Sequence, residues 1–199
     1  MAAALPFYIR EDDPPAKREI LRAALKLFSE GGLAATSIRD IAAESGYTNP
    51  ALYKHFGGKQ ELALHLFETC HTRLWTRCAQ AIAGAKDFDG QVDAYVTQWL
   101  ELADENPEAL AFLSENARVL WPKASARVRK QTMISLAYAL VAAAPRRRRR
   151  TSPVNADMAA ASVQGTLAEV LRMIQVGVIT GSAMRNKRHL VELFTKLLS

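Results

Sequence analysis

The sequence predicts an all-α fold, and three observations support that prediction. Apolar residues recur at helical spacing, as in the stripe Ile20, Ala24, Leu27 and Phe28. No segment shows the alternation of apolar and polar residues that is typical of a strand, and no internal repeat is present. Glycine and proline residues separate the helical stretches, as at Gly31-Gly32. The chain is therefore expected to fold as packed helices without a sheet.

Length and charge limit the classes of protein to consider. With 199 residues and 49% hydrophobic content, the chain can form one large or two small domains with a packed core. The formal net charge is +6, but the run Arg146–Arg150 contributes five of these charges, so the rest of the chain carries only +1. Such a run favours a solvated loop of mutually repelling charges. Contact with a DNA backbone, an acidic partner or an anionic ligand is the alternative.

The cysteines and the apolar runs bear on location. Cys70 and Cys78 lie eight residues apart on one predicted helix, too far to form a disulfide with each other. This fits a reduced, cytoplasmic setting. No apolar run approaches the ~20 residues that span a bilayer, and Met1–Phe7 lacks the basic region and apolar length of a signal peptide. We expect a cytoplasmic protein with no membrane partner.

The first elements are a terminal arm and one helix. Residues 1–15 contain three prolines and the acidic run Glu11-Asp12-Asp13, which predicts a flexible arm. A DNA minor-groove arm is the alternative. The first helix should run from about Ala16 to Glu30, with its apolar stripe inward, and should end at Gly31-Gly32.

The segment Ser37–Phe56 predicts two short helices joined by a tight turn. In the first helix, Ile38, Ile41 and Ala42 form a one-sided apolar stripe. Ser37 can cap that helix, with Asp40 at the third position. Gly46 follows at the C-terminal end, where glycine tolerates the left-handed conformation.

The second helix of this segment begins near Thr48. Either Thr48 or Asn49 can cap it, and Pro50 suits its first turn. Leu52 and Phe56 lie four residues apart and should face inward. Two helices joined in this way predict a helix-turn-helix, in which the second helix enters the DNA major groove with its N-terminal end first.

The charge of this segment also favours DNA. No acidic residue occurs from Ser45 to Gln60, whereas Lys54, His55 and Lys59 are present. Phosphate contacts supply most of the affinity for DNA, so the local absence of negative charge matters. An ordinary helical hairpin with a solvated polar face is the alternative.

A longer set of residues then identifies a family. In chain order the set comprises Ile20–Phe28, Gly31-Gly32, Ala35-Thr36-Ser37, Asp40-Ile41-Ala42, Ser45-Gly46, Leu52–Phe56, Lys59 and Leu62. In order and spacing, Ala16–Leu66 resembles the DNA-binding domain of TetR-family transcriptional regulators, over about a quarter of the chain. Two positions depart from the family pattern. Tyr47 stands where a small aliphatic residue is usual, and Gly58 stands where a serine, asparagine or aspartate is usual.

The resemblance implies about nine helices in two domains. A three-helix DNA-binding domain would cover residues 16–62, with the motif at 37–56, and a helical bundle for ligand binding and dimerisation would cover 63–199. The expected phosphate or positioning contacts are Thr36, Ser37, Tyr53 and Lys59. The expected contacts to base edges or sugars are Thr48, Asn49, Pro50 and Ala51. Arg39, Lys54 and His55 are mixed candidates, and Arg39 could read a guanine bidentately.

Six further helices are predicted after the motif. Their ranges are approximately 59–83, 91–103, 106–121, 124–144, 155–178 and 186–198. The last two are apolar over much of their surface, which usually marks an interface. The resemblance implies a dimer interface there, for which we expect Val163, Leu167, Val170, Leu171, Ile174, Leu190, Leu193, Phe194 and Leu197. The alternative is that these residues fill the core of one chain.

Aromatic residues in the middle of the chain suggest a small-molecule pocket. They are Trp75, Tyr95, Trp99, Phe112, Trp121 and Tyr138. The resemblance implies an inducer pocket in this region, and plain core packing is the alternative. His71 and Cys78 lie nearly on one helix face, but two ligands on one helix without zinc spacing do not make a metal site. A third member for a nucleophilic triad is also missing. We therefore expect no metal, no cofactor and no enzyme activity.

These observations together predict a cytoplasmic, homodimeric regulator that binds palindromic double-stranded DNA and is released by a small apolar or amphipathic ligand. A two-fold dimer would place its recognition helices roughly 34–36 Å apart. The alternatives are a regulator without an inducer, a helical enzyme, and a binder without sequence preference. The inducer, the operator sequence, the regulated genes and the sign of regulation do not follow from the sequence.

Overall fold

The computed structural model describes residues 6–145 and 154–198, and all the regular elements within these ranges are helices. The predicted all-α fold is confirmed. The arginine run at 146–150 lies outside the described residues. The helices are α1 (Pro15–Ala35), α2 (Ile38–Ser45), α3 (Asn49–Tyr53), α4 (Lys59–Gly84), α5 (Phe88–Glu105), α6 (Pro107–Leu120), α7 (Ala126–Lys130), α8 (Met133–Ala143), α9 (Ala156–Gln175) and α10 (Lys187–Leu197), with short 3₁₀ turns at Trp121–Lys123 and Ala183–Asn186.

The chain divides into two compact units. The first comprises the described residues up to Arg73 together with Glu108–Arg129, and the second comprises Leu74–Pro107 together with the described residues from Lys130 onward. The predicted domain boundary at residue 62 therefore falls inside α4, and α4 contributes residues to both units.

The first unit is built around the inward stripes of α1, α2, α3 and the first half of α4. Its fully buried residues include Ile20, Leu21, Leu25, Phe28, Ile41, Leu52, Leu62, Leu66, Phe67 and Phe112. The rings of Phe28 and Phe112 stack with their centroids 5.6 Å apart, so α6 belongs to this core although it is distant in sequence. Gly32, at φ 81°, interrupts α1 at the predicted helix end.

Residues 6–15 differ from the flexible arm that the sequence predicts. Phe7, Tyr8 and Ile9 are buried, as is Asp13. Arg73 on α4 donates from Nη1 to the carbonyl oxygens of Pro6 (3.1 Å) and Phe7 (2.9 Å). The composition of the arm predicted mobility because prolines break helices and acidic side chains favour water. Three consecutive large apolar residues nevertheless anchor it, since their burial removes much apolar surface from water.

The second unit contains the C-terminal half of α4 and helices α5, α8, α9 and α10. Helix α9 packs on α8, and α10 packs on α5. Tyr95 is fully buried, and its hydroxyl is 2.6 Å from Oε1 of Gln164 on α9. Asp104 at the end of α5 accepts hydrogen bonds from the Ala183 backbone N–H and the Ser182 hydroxyl, both at 2.6 Å. These bonds fix the entry to α10.

One predicted helix, Ala124–Ala144, is two helices in the structure. Helix α7 ends at Lys130, and α8 begins at Met133. The Thr132 side chain accepts a hydrogen bond from the Ser135 backbone N–H at 3.1 Å, so Thr132 caps a new helix. Periodicity alone missed this break because no glycine or proline marks it. Among the described residues, none of the helices is both long and apolar enough to cross a membrane.

Candidate nucleic-acid interface

Helix α2 begins with a complete capping box. The Ser37 hydroxyl accepts a hydrogen bond from the Asp40 backbone N–H at 3.2 Å, and the Asp40 carboxylate accepts one from the Ser37 N–H at 2.7 Å. Hydrogen bonding with Ser37 holds the pKa of Asp40 below its usual value. The Asp40 carboxylate therefore interacts with the N-terminal end of α2, where the helix dipole favours a negative charge.

The turn between α2 and α3 is a Schellman motif. Gly46 has φ 74°, in the left-handed region that glycine enters without a Cβ penalty. Its N–H donates to Ala43 O at 3.4 Å, and the Tyr47 N–H donates to Ala42 O at 3.1 Å. Tyr47 itself is 36% exposed, so the bulky residue at this position projects from the turn and does not enter the core.

Helix α3 presents a polar N-terminal end above a small apolar base. Thr48 is its N-cap, which settles the choice between Thr48 and Asn49. The Thr48 side chain makes no capping hydrogen bond, so its hydroxyl is available to another group. Leu52 and Phe56 are buried as predicted, while the outward residues form an exposed surface that includes Thr48, Pro50, Tyr53 and Lys54. Asn49, Ala51 and His55 are half-buried at its margin.

Acidic side chains near this surface are occupied by other groups. Glu44 accepts a hydrogen bond from the Lys26 ammonium at 2.7 Å, and Glu61 accepts one from the Gly57 backbone N–H at 2.8 Å. Asp40 is held in its capping box. The exposed cations Arg39 and Lys54 make no ion pair within residues 6–145 and 154–198. The surface around α3 therefore combines free positive charge with exposed hydroxyl groups, which suits a phosphate backbone.

Two predicted phosphate contacts have internal roles in the structure. The Lys59 ammonium donates to three carbonyl oxygens at the end of α1, those of Leu33 (2.8 Å), Ala34 (3.1 Å) and Thr36 (2.6 Å). Thr36 is only 6% exposed, and its hydroxyl lies 3.0 Å from Gly32 O. An ammonium has three N–H donors, so Lys59 could reach a phosphate only by giving up one of these bonds.

The six aromatic residues predicted to line one pocket are divided between the two units. Phe112 stacks on Phe28, and Trp121 lies edge-on to His71 with the ring centroids 5.0 Å apart, both in the first unit. Trp75, Tyr95, Trp99 and Tyr138 belong to the second unit. Tyr138 is 41% exposed and donates its hydroxyl to Asp157 at 2.7 Å. Phe112 is buried, Trp121 is half-buried, and Tyr138 lies at the surface.

The residues predicted for the dimer interface also separate into two groups. Val163, Leu167, Leu171, Leu190 and Phe194 are buried within a single chain, because α9 and α10 turn them toward α8 and α5. Leu193 is 48% exposed, and Val170, Ile174 and Leu197 are half-buried. Three apolar residues outside that set are more exposed still, namely Met158, Val176 and Val178.

The residues considered for metal binding or nucleophilic chemistry do not form a reactive cluster. Within the described part of the chain, no group of three or more histidine, cysteine, aspartate or glutamate side chains could hold a metal ion. Burial raises the pKa of both Cys70 and Cys78 to about 12. Both thiols are therefore protonated at neutral pH, and a thiolate is the form that reacts.

One feature of the first unit was missed by sequence reasoning. A cavity of about 350 Å³ is lined by residues from the arm, α4 and the start of α7, among them Arg10, Arg73 and Arg127. These arginines are 54 or more residues apart in sequence, so no local spacing pattern predicts that they line the same cavity.

The geometry defines a helix-turn-helix of the kind found in DNA-binding proteins, and the sequence of this segment matches a known family of regulators. Residues 20–66 match the sequence profile described as "Bacterial regulatory proteins, tetR family". The transcriptional repressor KstR2 of Rhodococcus jostii (strain RHA1) is 30% identical over 104 residues, which are 52% of this chain and 51% of that protein. The aligned segment thus spans about half of the relative. Residues 20–66 of this chain therefore resemble the DNA-binding segment of the TetR family.

Solved structures show that the likeness in fold extends over nearly the whole chain. The fatty acid degradation regulator FadR of Bacillus halodurans superposes with a TM-score of 0.77 over 93% of this chain and 97% of its own, at 17% identity. FadR of Bacillus subtilis, solved in complex with stearoyl-CoA, gives a TM-score of 0.69 over 90% of this chain and 97% of its own, at 13% identity. At such identities the comparison establishes the fold alone.

Proposed function

We propose that this protein is a transcriptional regulator that binds a palindromic DNA operator as a homodimer and is released from it by a small ligand. The observation that carries the proposal is the surface of α3. It presents the Thr48 hydroxyl, which makes no capping hydrogen bond, and the Lys54 ammonium, while other groups hold the neighbouring carboxylates Asp40 and Glu44. Repression is the default direction, as in the KstR2 repressor that the chain resembles.

Residues of α3 divide by the kind of DNA contact they would make. Thr48, Asn49, Pro50 and Ala51 lie at the N-terminal end that enters the major groove, so they would meet base edges or sugars. Ser37, Tyr53 and Lys54 would contact phosphates, while Arg39 and His55 could contribute to either. Base contacts set specificity, whereas phosphate contacts set affinity and its dependence on salt.

The first experiment is selection of binding sites from a random double-stranded DNA library at moderate salt. We expect a palindrome whose half-sites are about one helical turn apart. Asn49→Ala should relax the preference at one position of the recovered motif, whereas Lys54→Ala should weaken all sequences alike and reduce the salt slope by about 1 for each phosphate that the variant no longer neutralises. Recovery of no motif, with binding that disappears as salt rises, would contradict operator recognition.

Dimerisation is proposed through the exposed apolar residues of the second unit. Leu193, Met158, Val176 and Val178 are each about half or more exposed in the single chain. Exposed apolar patches of this kind usually mark an interface. Leu193→Lys should give a folded monomer of 21.9 kDa in light scattering, while the wild type gives twice that mass. Arg188→Ala, an exposed change on the opposite side of α10, is the control. A monomeric wild type would refute the dimer.

The ligand is proposed to act through α4. This helix contributes to both units, and its N-terminal residue Lys59 holds the end of α1. A ligand that changes the position of α4 would alter the separation of the two recognition helices. It can release DNA only to the extent that it binds the free state more tightly than the DNA-bound state.

An apolar or amphipathic ligand is tested with a panel that includes stearoyl-CoA, the compound bound to FadR of Bacillus subtilis in a similar fold. At least one member should lower operator affinity. If no compound of the panel changes operator affinity while operator binding itself is intact, the result would favour a regulator without a small-molecule inducer.

A further inference from the structure

The first unit contains a cavity of about 350 Å³ with an unusual concentration of arginine. It lies within one unit, between the N-terminal arm, α4 and the start of α7. Its lining residues are Arg10, Glu68, Thr69, Thr72, Arg73, Ser125, Arg127 and Val128. None of them belongs to the predicted DNA-binding surface or to the predicted aromatic pocket.

The charges of the lining do not cancel. Three guanidinium groups face one carboxylate, that of Glu68, which leaves a net charge of +2. Glu68 is already engaged, since its Oε1 accepts a hydrogen bond from the Ser125 backbone N–H. Like charges gathered in a concave site repel one another, and the field they create attracts an anion. A dianion would neutralise the excess.

The lining also offers unused hydrogen-bond donors. Arg127 and the guanidinium of Arg10 have no hydrogen-bond or ion-pair partner within residues 6–145 and 154–198. Arg73 uses Nη1 to hold the arm. The side chains of Arg10 and Arg127 are exposed, so their donors are accessible to a bound molecule.

We propose that this cavity binds a small molecule that carries a phosphate monoester. Such a group has a charge of about −1.5 to −2 at pH 7 and three acceptor oxygens. The charge matches the net charge of +2, and the oxygens can accept from Arg10 and Arg127. Arginine binds phosphate with paired N–H donors in a planar fork. The volume exceeds that of the phosphate group alone, and Val128 supplies an apolar wall for the organic part of the ligand.

The position of the cavity separates this site from DNA. Glu68 lies nine residues after Lys59, which corresponds to about 14 Å along α4 from the end near the helix-turn-helix. The ligand would contact the arm, α4 and α7 at the same time, so its binding would hold these three segments together. The site does not depend on the proposed operator binding, because it is assayed on protein without DNA.

Calorimetric titration of the full chain with inorganic phosphate tests the site, with chloride and acetate at matched ionic strength as comparison anions. We expect saturable binding of phosphate that acetate does not match. Arg127→Gln and Arg10→Gln should each weaken it about tenfold, which corresponds to loss of one charge-assisted hydrogen bond. Arg129→Gln is the matched control, since Arg129 is exposed on the same helix but does not line the cavity. Arg73 is left unchanged because it also holds the arm.

Three results would overturn the proposal. The first is the absence of saturable phosphate binding. The second is equal weakening by Arg127→Gln and Arg129→Gln, which would indicate attraction to general surface charge. The third is loss of phosphate binding when a random-sequence DNA duplex is added, which would assign the arginines to the DNA backbone. Unchanged melting temperatures of the variants establish that each of them is folded.

Discussion

Replacement of Lys59 by methionine separates two roles that this residue could have. The structure commits its ammonium to the carbonyl oxygens of Leu33, Ala34 and Thr36, at 2.6–3.1 Å. These carbonyl groups lie between the interruption of α1 at Gly32 and the start of α2. In this role Lys59 joins α1 to the start of α4 and positions the helix-turn-helix between them. We therefore expect Lys59→Met to act on stability before it acts on DNA contacts.

The expected magnitude follows from the three bonds. A hydrogen bond to a charged group contributes about 1.5–3 kcal/mol, but Lys59 is half-buried and water can replace part of each bond, so we expect a total loss of about 3 kcal/mol. For a chain of this length that loss lowers the melting temperature by about 6–12 °C. The methionine keeps most of the side-chain volume, so the measured change reports the ammonium.

Thermal unfolding and the salt dependence of DNA binding together decide between the roles. If Lys59 acts within the protein, Lys59→Met lowers the melting temperature, and the slope of log affinity against log salt stays unchanged. If it contacts a phosphate, the melting temperature stays unchanged, and the slope becomes less negative by about 0.9 for each phosphate that is no longer neutralised. The second outcome would refute our reasoning. Lys54→Met is the control, since Lys54 is exposed and should change only the slope.

Three further predictions concern the turn, a histidine and a buried hydroxyl. Gly46→Ala should destabilise the protein by about 1 kcal/mol in urea unfolding, because φ is 74° there; an unchanged midpoint would contradict the strain. Burial lowers the pKa of His65 to about 4, so the folded state keeps it neutral while the unfolded chain takes up a proton below about 6.5. Stability should therefore fall as pH decreases from about 6.5 to 4, modestly because His65 is partly exposed, and His65→Leu should flatten that part of the curve; an equally steep curve would assign the loss to other groups. Tyr95→Phe should cost about 1–2 kcal/mol in unfolding, because the bond to Gln164 is lost in a buried setting, and no change would show that water replaces it.

The sequence by itself determined the features that depend on neighbouring residues. The capping box of Ser37 and Asp40, the left-handed turn at Gly46 and the inward pair Leu52 and Phe56 all follow from spacings of a few residues. Local sterics and local hydrogen bonds decide such features, so the chain carries them in any context. For the same reason the family pattern over residues 20–66 could be identified before the fold was known.

Only the tertiary structure decided which face of a helix is covered and by what. Phe194 is 1% exposed and Leu193 is 48% exposed, although both belong to the same apolar run, because α10 turns only one of them toward α5. Phe7 to Ile9 pack in the first unit, where composition predicted mobility. The Lys59 ammonium donates to the Thr36 carbonyl oxygen within the protein. Arg10, Arg73 and Arg127 line one cavity. Contacts between residues far apart in sequence depend on how the helices pack. The periodicity within one helix predicts its apolar face but not the helix that packs against that face.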